Sequence, residues 1–351
     1  MAAKLGGGII GLGMASLPHA RALLTLGDSI EALHAFSPSP ERRAAFAQAH
    51  GLPTTDSLEA VLADPNVEAV LVLTPPNTHL ELVERAAAAG KHVLLEKPLE
   101  ISLERAERLV DVAEQAGITL AIVLQNRFRP AALELRQVLA AGRLGRLVHV
   151  AARTSYWRPQ SYYDEPGRGT LARDGGGVLL TQAIHNLDLM ISLVGLPEVV
   201  TGFVGTSPIH TMEGEDIAAA SLRFAGGALG SISATTCAYP GFPDCIELIG
   251  EHGTATLEGS SLLVRLHDGT TIEVADDQAG SGSGADPMGF SSAAHAALIA
   301  DFADAIATGR KPAASGRDVL GVHRLIAAII ASRGQPIELK TSGPRHVAEM
   351  P

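Results

Sequence analysis

The stretch LGGGIIGLGMAS at residues 5–16 decides the fold. Leu5 to Ile10 is apolar enough for a short buried strand, although three glycines dilute it, and a glycine-rich segment follows without a break. A helical pattern then begins, with Pro18 in its first turn, where a missing N–H costs nothing. Strand, glycine turn and helix in this order are typical of a dinucleotide-binding βαβ unit, in which the helix N-terminus holds a pyrophosphate.

The turn itself matches the dinucleotide motif in part. Gly11 permits a tight turn and Gly13 lets the backbone approach a phosphate, but Ser16 replaces the third glycine of the motif. Serine is small enough for close packing, yet it weakens the match, and a plain tight turn would show the same residues. The predicted cofactor-binding residues of this segment are Gly11, Leu12, Gly13, Met14 and Ala15.

The end of the second predicted strand, Ile30 to Phe36, bears on the choice between NAD and NADP. A carboxylate at this position typically accepts from the ribose hydroxyls of NAD, whereas a 2′-phosphate requires a hydroxyl and a cation. The tip offers Ser37 and Arg42 and no carboxylate, so NADP is favoured over NAD. The alternative is that Glu41, Arg42 and Arg43 only form the solvated first turn of the next helix.

Strands and helices keep alternating as far as residue 126. Units of this length indicate right-handed crossovers and a parallel, doubly wound sheet, whose strands all present their carboxyl ends at one edge. A dinucleotide lying along that edge would bring its nicotinamide near the later strand tips. The predicted tips are residues 11–16, Ser37, 74–79, 96–98 and 125–127.

Lys97 follows the apolar strand residues 93–95 at one of these tips, which makes it a candidate for chemistry. The alternative is an ordinary ion pair with Glu96. Adjacent residues on a strand point to opposite faces and pair poorly, so we favour the reactive role.

The pattern changes after Arg127. Residues 199–274 show strand after strand with glycine turns, as in a large, mostly antiparallel sheet. We therefore predict an α/β protein with two domains, a dinucleotide-binding domain at 1–126 and a substrate-binding and oligomerisation domain at 127–351.

A helix following three glycines at 175–177 carries the second candidate for chemistry. Thr181, His185 and Asp188 fall at i, i+4 and i+7 and form one polar stripe. A lone histidine on a helix is more often structural, but a shared polar stripe behind glycines favours function. His185 is the predicted catalytic residue, Asp188 would orient it, and Thr181 would face the substrate.

The segment 157–163 holds the only tryptophan and two of the four tyrosines. Such clustering indicates either a substrate wall, including Arg158 and Tyr163, or a subunit contact. Arg158, Arg168 and Arg173 would suit an anionic group of a substrate, unless they are scattered surface charges.

Composition limits the remaining classes of function. A net charge of −11 argues against a nucleic-acid binder. No run of 18 apolar residues and no signal-peptide core occur, so a cytoplasmic protein without a membrane segment is expected. Cys237 and Cys245 stand at no metal-ligand spacing, and no metal site is predicted.

Taken jointly, five segments resemble the glucose-fructose oxidoreductase, inositol dehydrogenase and rhizopine-catabolism family, known as Gfo/Idh/MocA. The resemblance covers nearly the whole chain and implies a Rossmann domain followed by a domain whose sheet often mediates dimers or tetramers. The segments are GLGMAS with His19, TPPNTH at 74–79, EKP at 96–98, GGGVLLTQAIHNLDL at 175–189 and DFADAIATGRKP at 301–312.

The resemblance also implies roles for single residues. Lys97 resembles the family's catalytic lysine and His185 its catalytic histidine, whereas Thr181 stands where polyol dehydrogenases of the family commonly have an aspartate. Sites for glucose or inositol are therefore not implied. The residues that match the cofactor-holding positions are Thr74, Pro75, Asn77, His79 and Glu96, to which the strand-tip residue Gln125 is added.

The resulting hypothesis is hydride transfer between NAD(P) and a carbinol or carbonyl carbon of a sugar, a polyol or a related small substrate. Lys97 would move the hydroxyl proton, because burial and a neighbouring cationic nicotinamide lower the pKa of an ammonium group. Two alternatives remain: a glycoside hydrolase with permanently retained NAD, and a non-catalytic sugar or dinucleotide sensor.

Overall fold

The computed structural model describes residues 4–275, 283–284 and 291–340. The chain divides into two compact units, the first formed by Met1–Gln125 with Ser291–Leu320, the second by Asn126–Phe290 with Gly321–Pro351. The predicted boundary after residue 126 lies one residue from this division. Residues 291–320, which the sequence pattern assigned to the second domain, instead pack with the first unit.

The first unit contains a parallel sheet with helices between its strands. The strands are β1 (Leu5–Ile10), β2 (Ile30–Phe36), β3 (Thr54–Thr55), β4 (Ala69–Val72), β5 (His92–Leu95) and β6 (Leu120–Ile122). The helices are α1 (Ser16–Thr25), α2 (Pro40–His50), α3 (Leu58–Ala63), α4 (His79–Ala88) and α5 (Leu103–Gln115). The strand order β3-β2-β1-β4-β5-β6, with every pairing parallel, confirms the predicted doubly wound fold.

Local chemistry explains where these elements begin. Ser57 caps α3 by accepting from the backbone N–H of Ala60, so the helix starts at Leu58. Ser102 caps α5 in the same way. All four residues of β4 are buried, as is usual for strands covered on both faces.

The second unit contains a nine-stranded sheet. Its strands are β7 (Leu147–Ser155), β8 (Val199–Gly205), β9 (Ile217–Arg223), β10 (Leu229–Thr235), β11 (Cys245–Gly250), β12 (Gly253–Glu258), β13 (Ser261–Leu266), β14 (Thr271–Val274) and β15 (Ile337–Glu338). They are ordered β14-β13-β12-β11-β7-β10-β9-β8-β15, and β7 and β10 form the parallel pair among otherwise antiparallel neighbours. The predicted mostly antiparallel sheet is thus confirmed.

The helices of this part of the chain include an unusually apolar stretch. They are α6 (Pro130–Ala140), α7 (Gln160–Tyr163), α8 (Leu171–Asp174) and α9 (Ile184–Val194). Residues 171–194 are long and apolar enough to cross a membrane, with a mean hydropathy of 1.4 over the most apolar 18 residues. Yet 72% of that window is buried inside the protein, as expected for a core helix.

Two long helices complete the described chain, α10 (Ala293–Thr308) and α11 (Gly316–Ser332). Helix α10 packs on α1 and β5 within the first unit. This packing brings His295 of α10 next to His19 of α1, with ring centroids 5.1 Å apart.

Candidate functional site

The glycine turn after β1 has the geometry of a ligand cradle. Gly11 has a φ of +103°, and a Cβ there would lie 2.9 Å from Cγ2 of Thr74, so this position requires glycine. Nothing lies within 4 Å of where a Cβ of Gly13 would stand. Ala15 precedes α1 and supplies no side-chain cap; the backbone N–H groups of Ser16 and Leu17 donate to the carbonyl oxygens of Gly13 and Met14 at 3.0 and 3.4 Å.

Ser37 and Arg42, the two residues predicted to bind the 2′-phosphate of NADP at the tip of β2, differ in their exposure. Ser37 is 2% exposed, and its hydroxyl accepts from the backbone N–H of Ser39 at 3.3 Å. Arg42 lies exposed in the first turn of α2, which begins at Pro40. Arg43 instead donates to the carbonyl oxygens of Ser37 and Pro38 at 2.7 and 3.1 Å. Arg42 is therefore the better placed of the two predicted residues to meet a 2′-phosphate.

His79 joins two strand tips of the first unit. Its Nε2 lies 2.9 Å from the carbonyl oxygen of Thr74, and its Nδ1 lies 3.0 Å from that of Pro98 and 3.2 Å from that of Leu99. Burial lowers the pKa of His79, and the carbonyl acceptors oppose that shift. Because the ring is fully buried, His79 positions the loop that carries Thr74, Pro75 and the exposed Asn77.

Glu96 and Lys97 follow β5 at the same sheet edge. Oε1 of Glu96 lies 3.1 Å from Nε2 of His19, and Oε2 accepts from the backbone N–H of Lys97 at 2.9 Å. Burial opposes ionisation of Glu96, but His19 and the charge of Lys97 hold its pKa below the ordinary value. Lys97 itself is half-buried. The carboxylate of Glu96 therefore fixes the peptide that carries Lys97.

Gln125 supplies a polar atom that suits a bound cofactor. Its Oε1 is buried and has no hydrogen-bond partner among the described residues. A buried acceptor without a partner is costly unless a ligand or water satisfies it. Together with the open side of Gly13, this atom shows that the first unit fits a polar dinucleotide.

In the second unit, the predicted stripe is interrupted by a π-helical turn at Leu179–Ala183 just before α9. Such turns frequently occur at functional sites. Thr181 and His185 are half-buried, whereas Asp188 is 1% exposed. The hydroxyl of Thr181 donates to the carbonyl oxygen of Gly177 at 2.7 Å.

Asp188 has a partner that the sequence pattern did not predict. Arg127 donates from Nε to Oδ2 at 2.7 Å and from Nη2 to Oδ1 at 2.5 Å, and both side chains are at most 3% exposed. The proposed orienting effect of Asp188 on His185 stays a prediction. The structure shows that the carboxylate forms a buried, bidentate ion pair.

The three glycines before this helix have a structural cause. A Cβ on Gly177 would lie 1.8 Å from the carbonyl oxygen of Glu215. The Glu215 carboxylate accepts from the backbone N–H groups of Gly177 and Leu179 at 2.9 and 3.0 Å. The close approach that these glycines permit is therefore to the protein's own chain, and Glu215 caps the helix start.

Arg158 and Tyr163, the predicted substrate contacts, are both buried. The Nη1 of Arg158 donates to the carbonyl oxygens of Trp157, Ser283 and Gly284 at 2.9, 3.1 and 2.5 Å. The Tyr163 hydroxyl donates to Oγ1 of Thr236 at 2.9 Å, and burial raises its pKa well above the ordinary tyrosine value. These contacts order the aromatic segment, and a substrate role for either residue remains a prediction.

The other two arginines bind acids of the same unit. Arg168 pairs with Glu165 and covers the ring of Tyr162 at 4.2 Å, and Arg173 lies 3.8 Å from Asp174. Both are thus partly neutralised, which weakens the prediction that they bind an anionic substrate group.

A cavity of about 350 Å³ in the first unit is not this site. Glu114, Arg310 and Lys311 line it together with residues 118–120 at the start of β6. The amino ends of parallel strands lie opposite the edge that carries the glycine turn, so the cavity is remote from the cofactor-binding residues.

Three residues of these sites were missed by the sequence reasoning: Arg127, Glu215 and the partner role of His19. Arg127 stands 61 positions before Asp188, so no local spacing signals their pairing. His19 was noted in the sequence only as part of a motif. His19 is buried and bonds to Glu96, 77 positions away, so no local spacing signals their pairing.

A parallel sheet with a glycine turn at its carboxyl edge and a lysine two strands away defines the class of nicotinamide-dinucleotide oxidoreductases. The family model described as "Oxidoreductase family, NAD-binding Rossmann fold" matches residues 5–123. A second model, the GFO/IDH/MocA C-terminal domain, matches residues 132–256. The chain therefore belongs to the Gfo/Idh/MocA oxidoreductase family, and it is an NAD(P)-dependent enzyme of the dehydrogenase and reductase type.

Individual relatives agree with this placement. The chain is 31% identical over 294 residues to myo-inositol 2-dehydrogenase of Thermotoga maritima, covering 79% of this chain and 80% of the relative. It is 31% identical over 320 residues to 1,5-anhydro-D-fructose reductase of Ensifer adhaerens, covering 89% and 92%. The WlbA dehydrogenase of Bordetella pertussis, solved with NADH and UDP-GlcNAcA, is 30% identical with a TM-score of 0.82, covering 97% of this chain and all (100%) of that one.

Proposed function

We propose that this enzyme transfers a hydride between C4 of a nicotinamide and a carbinol or carbonyl carbon of a small sugar-like or polyol-like substrate. The observation that carries the proposal is the placement of Lys97 at the tip of β5, on the same sheet edge as the glycine turn after β1. Strand β4 separates β1 from β5, so a dinucleotide starting at the turn would extend toward Lys97.

Hydride transfer also requires a protein group that accepts or donates the hydroxyl proton, and we assign this role to Lys97 and His185. In the oxidation direction the nicotinamide accepts the hydride, and the hydroxyl proton of the substrate must pass to a base of the protein. We assign Lys97 as this base and His185 as the group that relays the proton or holds the reacting oxygen. In reduction the same lysine returns the proton to the alkoxide oxygen.

The proposed substrate class rests on the names of the relatives and on the identity of residue 181. Two of the relatives carry the names of a polyol dehydrogenase and a sugar reductase, and a third was solved with a nucleotide sugar. Thr181 contributes a neutral hydroxyl where polyol dehydrogenases commonly have a carboxylate. A substrate that needs fewer anionic acceptors than inositol therefore fits this helix better.

A screen of sugars, polyols and their keto forms with NAD and NADP tests the proposal. Cofactor reduction or oxidation is read by absorbance, and at least one carbohydrate should turn over with net change in the nicotinamide. Cofactor that stays bound through purification, with glycoside cleavage and no net redox change, would instead indicate a hydrolase with retained NAD. The absence of turnover and of cleavage across the screen would overturn the proposal.

NADP is the favoured cofactor because Arg42 is an exposed cation at the β2 tip. Replacing Arg42 by alanine should raise the KM for NADP by about tenfold or more, since a charge-assisted contact contributes about 1.5–3 kcal/mol. The KM for NAD should hardly change. Arg108→Ala, which removes an arginine 66% exposed at its side chain on α5, is the control. At least tenfold better use of NAD by the wild type would refute the preference.

Self-association through the sheet of the second unit is a further part of the proposal. Strands β9 and β10 alternate strictly between buried and exposed residues, so one sheet face is uncovered within the described residues. Phe203 on β8 and Leu229 on β10, the two strands that flank β9, are 67% and 60% exposed. Light scattering should give the mass of a homodimer or homotetramer, and a monomer at micromolar concentration would contradict this expectation.

A further inference from the structure

Three side chains with metal-binding atoms meet at the ends of β9 and β10 in the second unit. His210 lies in the loop after β8, Asp216 directly precedes β9, and Cys237 follows β10 by two residues. Oδ2 of Asp216 is 2.8 Å from Nδ1 of His210 and 3.2 Å from Sγ of Cys237. The sulfur lies 3.8 Å from Nδ1 of His210. One nitrogen, one oxygen and one sulfur atom thus form a compact triangle.

The hydrogen bond made by Nε2 of His210 determines whether Nδ1 points a proton or a lone pair at this triangle. Nε2 lies 2.8 Å from the carbonyl oxygen of Arg158, which only accepts hydrogen bonds, so Nε2 carries a proton. Neutral imidazole then directs its Nδ1 lone pair at Oδ2 of Asp216. Two acceptors at 2.8 Å repel each other unless a proton or a metal ion lies between them. A carbonyl bonded to the distal ring nitrogen is also the usual support of a metal-bound histidine.

The dimensions and the burial suit a metal ion. Ligand atoms of a tetrahedral zinc site, with bonds of about 2.0–2.3 Å, lie about 3.3–3.7 Å apart, and the observed separations fall on both sides of that range. His210 is 5% exposed and Asp216 is 0% exposed, while Cys237 is half-buried. Thiolate, imidazole and carboxylate are together the ligands that zinc prefers.

Ser207 supports the carboxylate from the other side. Its backbone N–H donates to Oδ1 of Asp216 at 2.7 Å, which leaves Oδ2 directed at the triangle. Its hydroxyl donates to Oδ2 at 2.6 Å, and the hydroxyl oxygen lies 3.3 Å from Sγ of Cys237. A fourth oxygen atom is therefore already present beside the three candidate ligands.

We propose that His210, Asp216 and Cys237 bind one zinc ion through Nδ1, Oδ2 and Sγ, with the Ser207 hydroxyl or a water molecule at the fourth position. Binding displaces the thiol proton to solvent, because sulfur coordinates as thiolate. The ion would connect the loop after β8 to two neighbouring strands. Through the bond between His210 and the Arg158 carbonyl, it would also hold the aromatic segment that carries Arg158 and Tyr163.

Zinc stoichiometry tests the proposal on the full-length protein. The purified chain is treated with a chelator, loaded with ZnCl₂, desalted and assayed for zinc. We expect one zinc per chain for the wild type and for Cys245→Ser, which removes the other cysteine. Cys237→Ser and Asp216→Asn should weaken zinc binding by about a hundredfold or more, as loss of a ligand exceeds the usual effect of losing its support. Loading with Co²⁺ should give thiolate-to-metal charge-transfer absorption that Cys237→Ser lacks.

A second measurement needs no variant. Zinc should protect Cys237 of the wild type from alkylation by iodoacetamide and leave the alkylation of Cys245 unchanged, as read by peptide mass spectrometry. No zinc retained by the wild type, or equal retention by Cys237→Ser, would overturn the proposal. The first result would indicate that a proton between His210 and Asp216 satisfies the cluster, and the second that Cys237 is not a ligand.

Discussion

His19 holds Glu96 in place: its Nε2 lies 3.1 Å from Oε1 of that carboxylate, with the histidine fully buried and the acid 13% exposed at its side chain. The other carboxylate oxygen accepts from the backbone N–H of Lys97. A buried histidine of α1 thereby determines, through Glu96, the orientation of the peptide that carries the proposed catalytic lysine.

Replacing Glu96 by glutamine should destabilise the protein at pH 7 by about 1–3 kcal/mol, the contribution of hydrogen bonds to a charged group. The pKa of Glu96 is lowered in the folded state. Its ionised form therefore stabilises the fold above the ordinary glutamate pKa of about 4.3, and this stabilisation is lost as the pH falls through the folded pKa. Urea unfolding of both proteins at several pH values measures the difference.

Glu273→Gln is the matched control, because Glu273 is exposed on β14. Its effect should stay within about 0.5 kcal/mol at every pH. A stability difference between the wild type and Glu96→Gln that grows as the pH falls below about 4 would contradict the proposed state of Glu96.

Changing Lys97 to alanine should lower kcat by about a hundredfold or more, because a general acid or base contributes factors of that size. The dissociation constant of the dinucleotide, measured by fluorescence titration, should hardly change. Lys311→Ala, which removes a lysine 53% exposed at its side chain, should keep normal turnover. Near-normal kcat for Lys97→Ala would exclude this lysine as the base.

Replacing Asp188 by asparagine should cost about 3–5 kcal/mol of stability, because it leaves the Arg127 guanidinium buried without a counter-charge. The exposed pair of Asp111 and Arg317, with N and O atoms 2.7 Å apart, provides the contrast. Asp111→Asn should change the free energy of unfolding by at most about 1 kcal/mol. A stable Asp188→Asn protein with strongly reduced kcat would instead support the predicted action of Asp188 on His185.

His323 should make stability depend on pH. Burial lowers the pKa of this histidine to about 4. The unfolded chain binds the proton near pH 6.5 and the folded chain does not, so stability falls as the pH decreases through that window. Between pH 7 and pH 5 the loss should be about 2 kcal/mol.

Urea unfolding of His323→Leu measures this contribution, because the variant lacks the ionisable ring and should lose less stability over the same pH range. His267→Gln, at an exposed position, should keep the wild-type slope. Equal slopes for the wild type and His323→Leu would show that the pKa of His323 is the same in the folded and the unfolded chain.

Local pattern was sufficient for the architecture. Alternating strand and helix periods, together with the handedness of parallel crossovers, predicted the doubly wound sheet, and the strand tips followed from its topology. β2 begins and ends at the residues that the pattern indicated, Ile30 and Phe36. The first residue of α3 is decided by the serine cap at Ser57.

The sequence by itself therefore determined the family, the two sheets and the strand-tip position of Lys97, because these depend on periodicities and short motifs that neighbouring residues encode. The tertiary structure alone decided which polar groups meet. It paired Arg127 with Asp188, His19 with Glu96, and His210 with Asp216 and Cys237. Two of these three sets join residues more than 60 positions apart, and a buried charge takes whichever partner the packing of distant elements brings within hydrogen-bond distance.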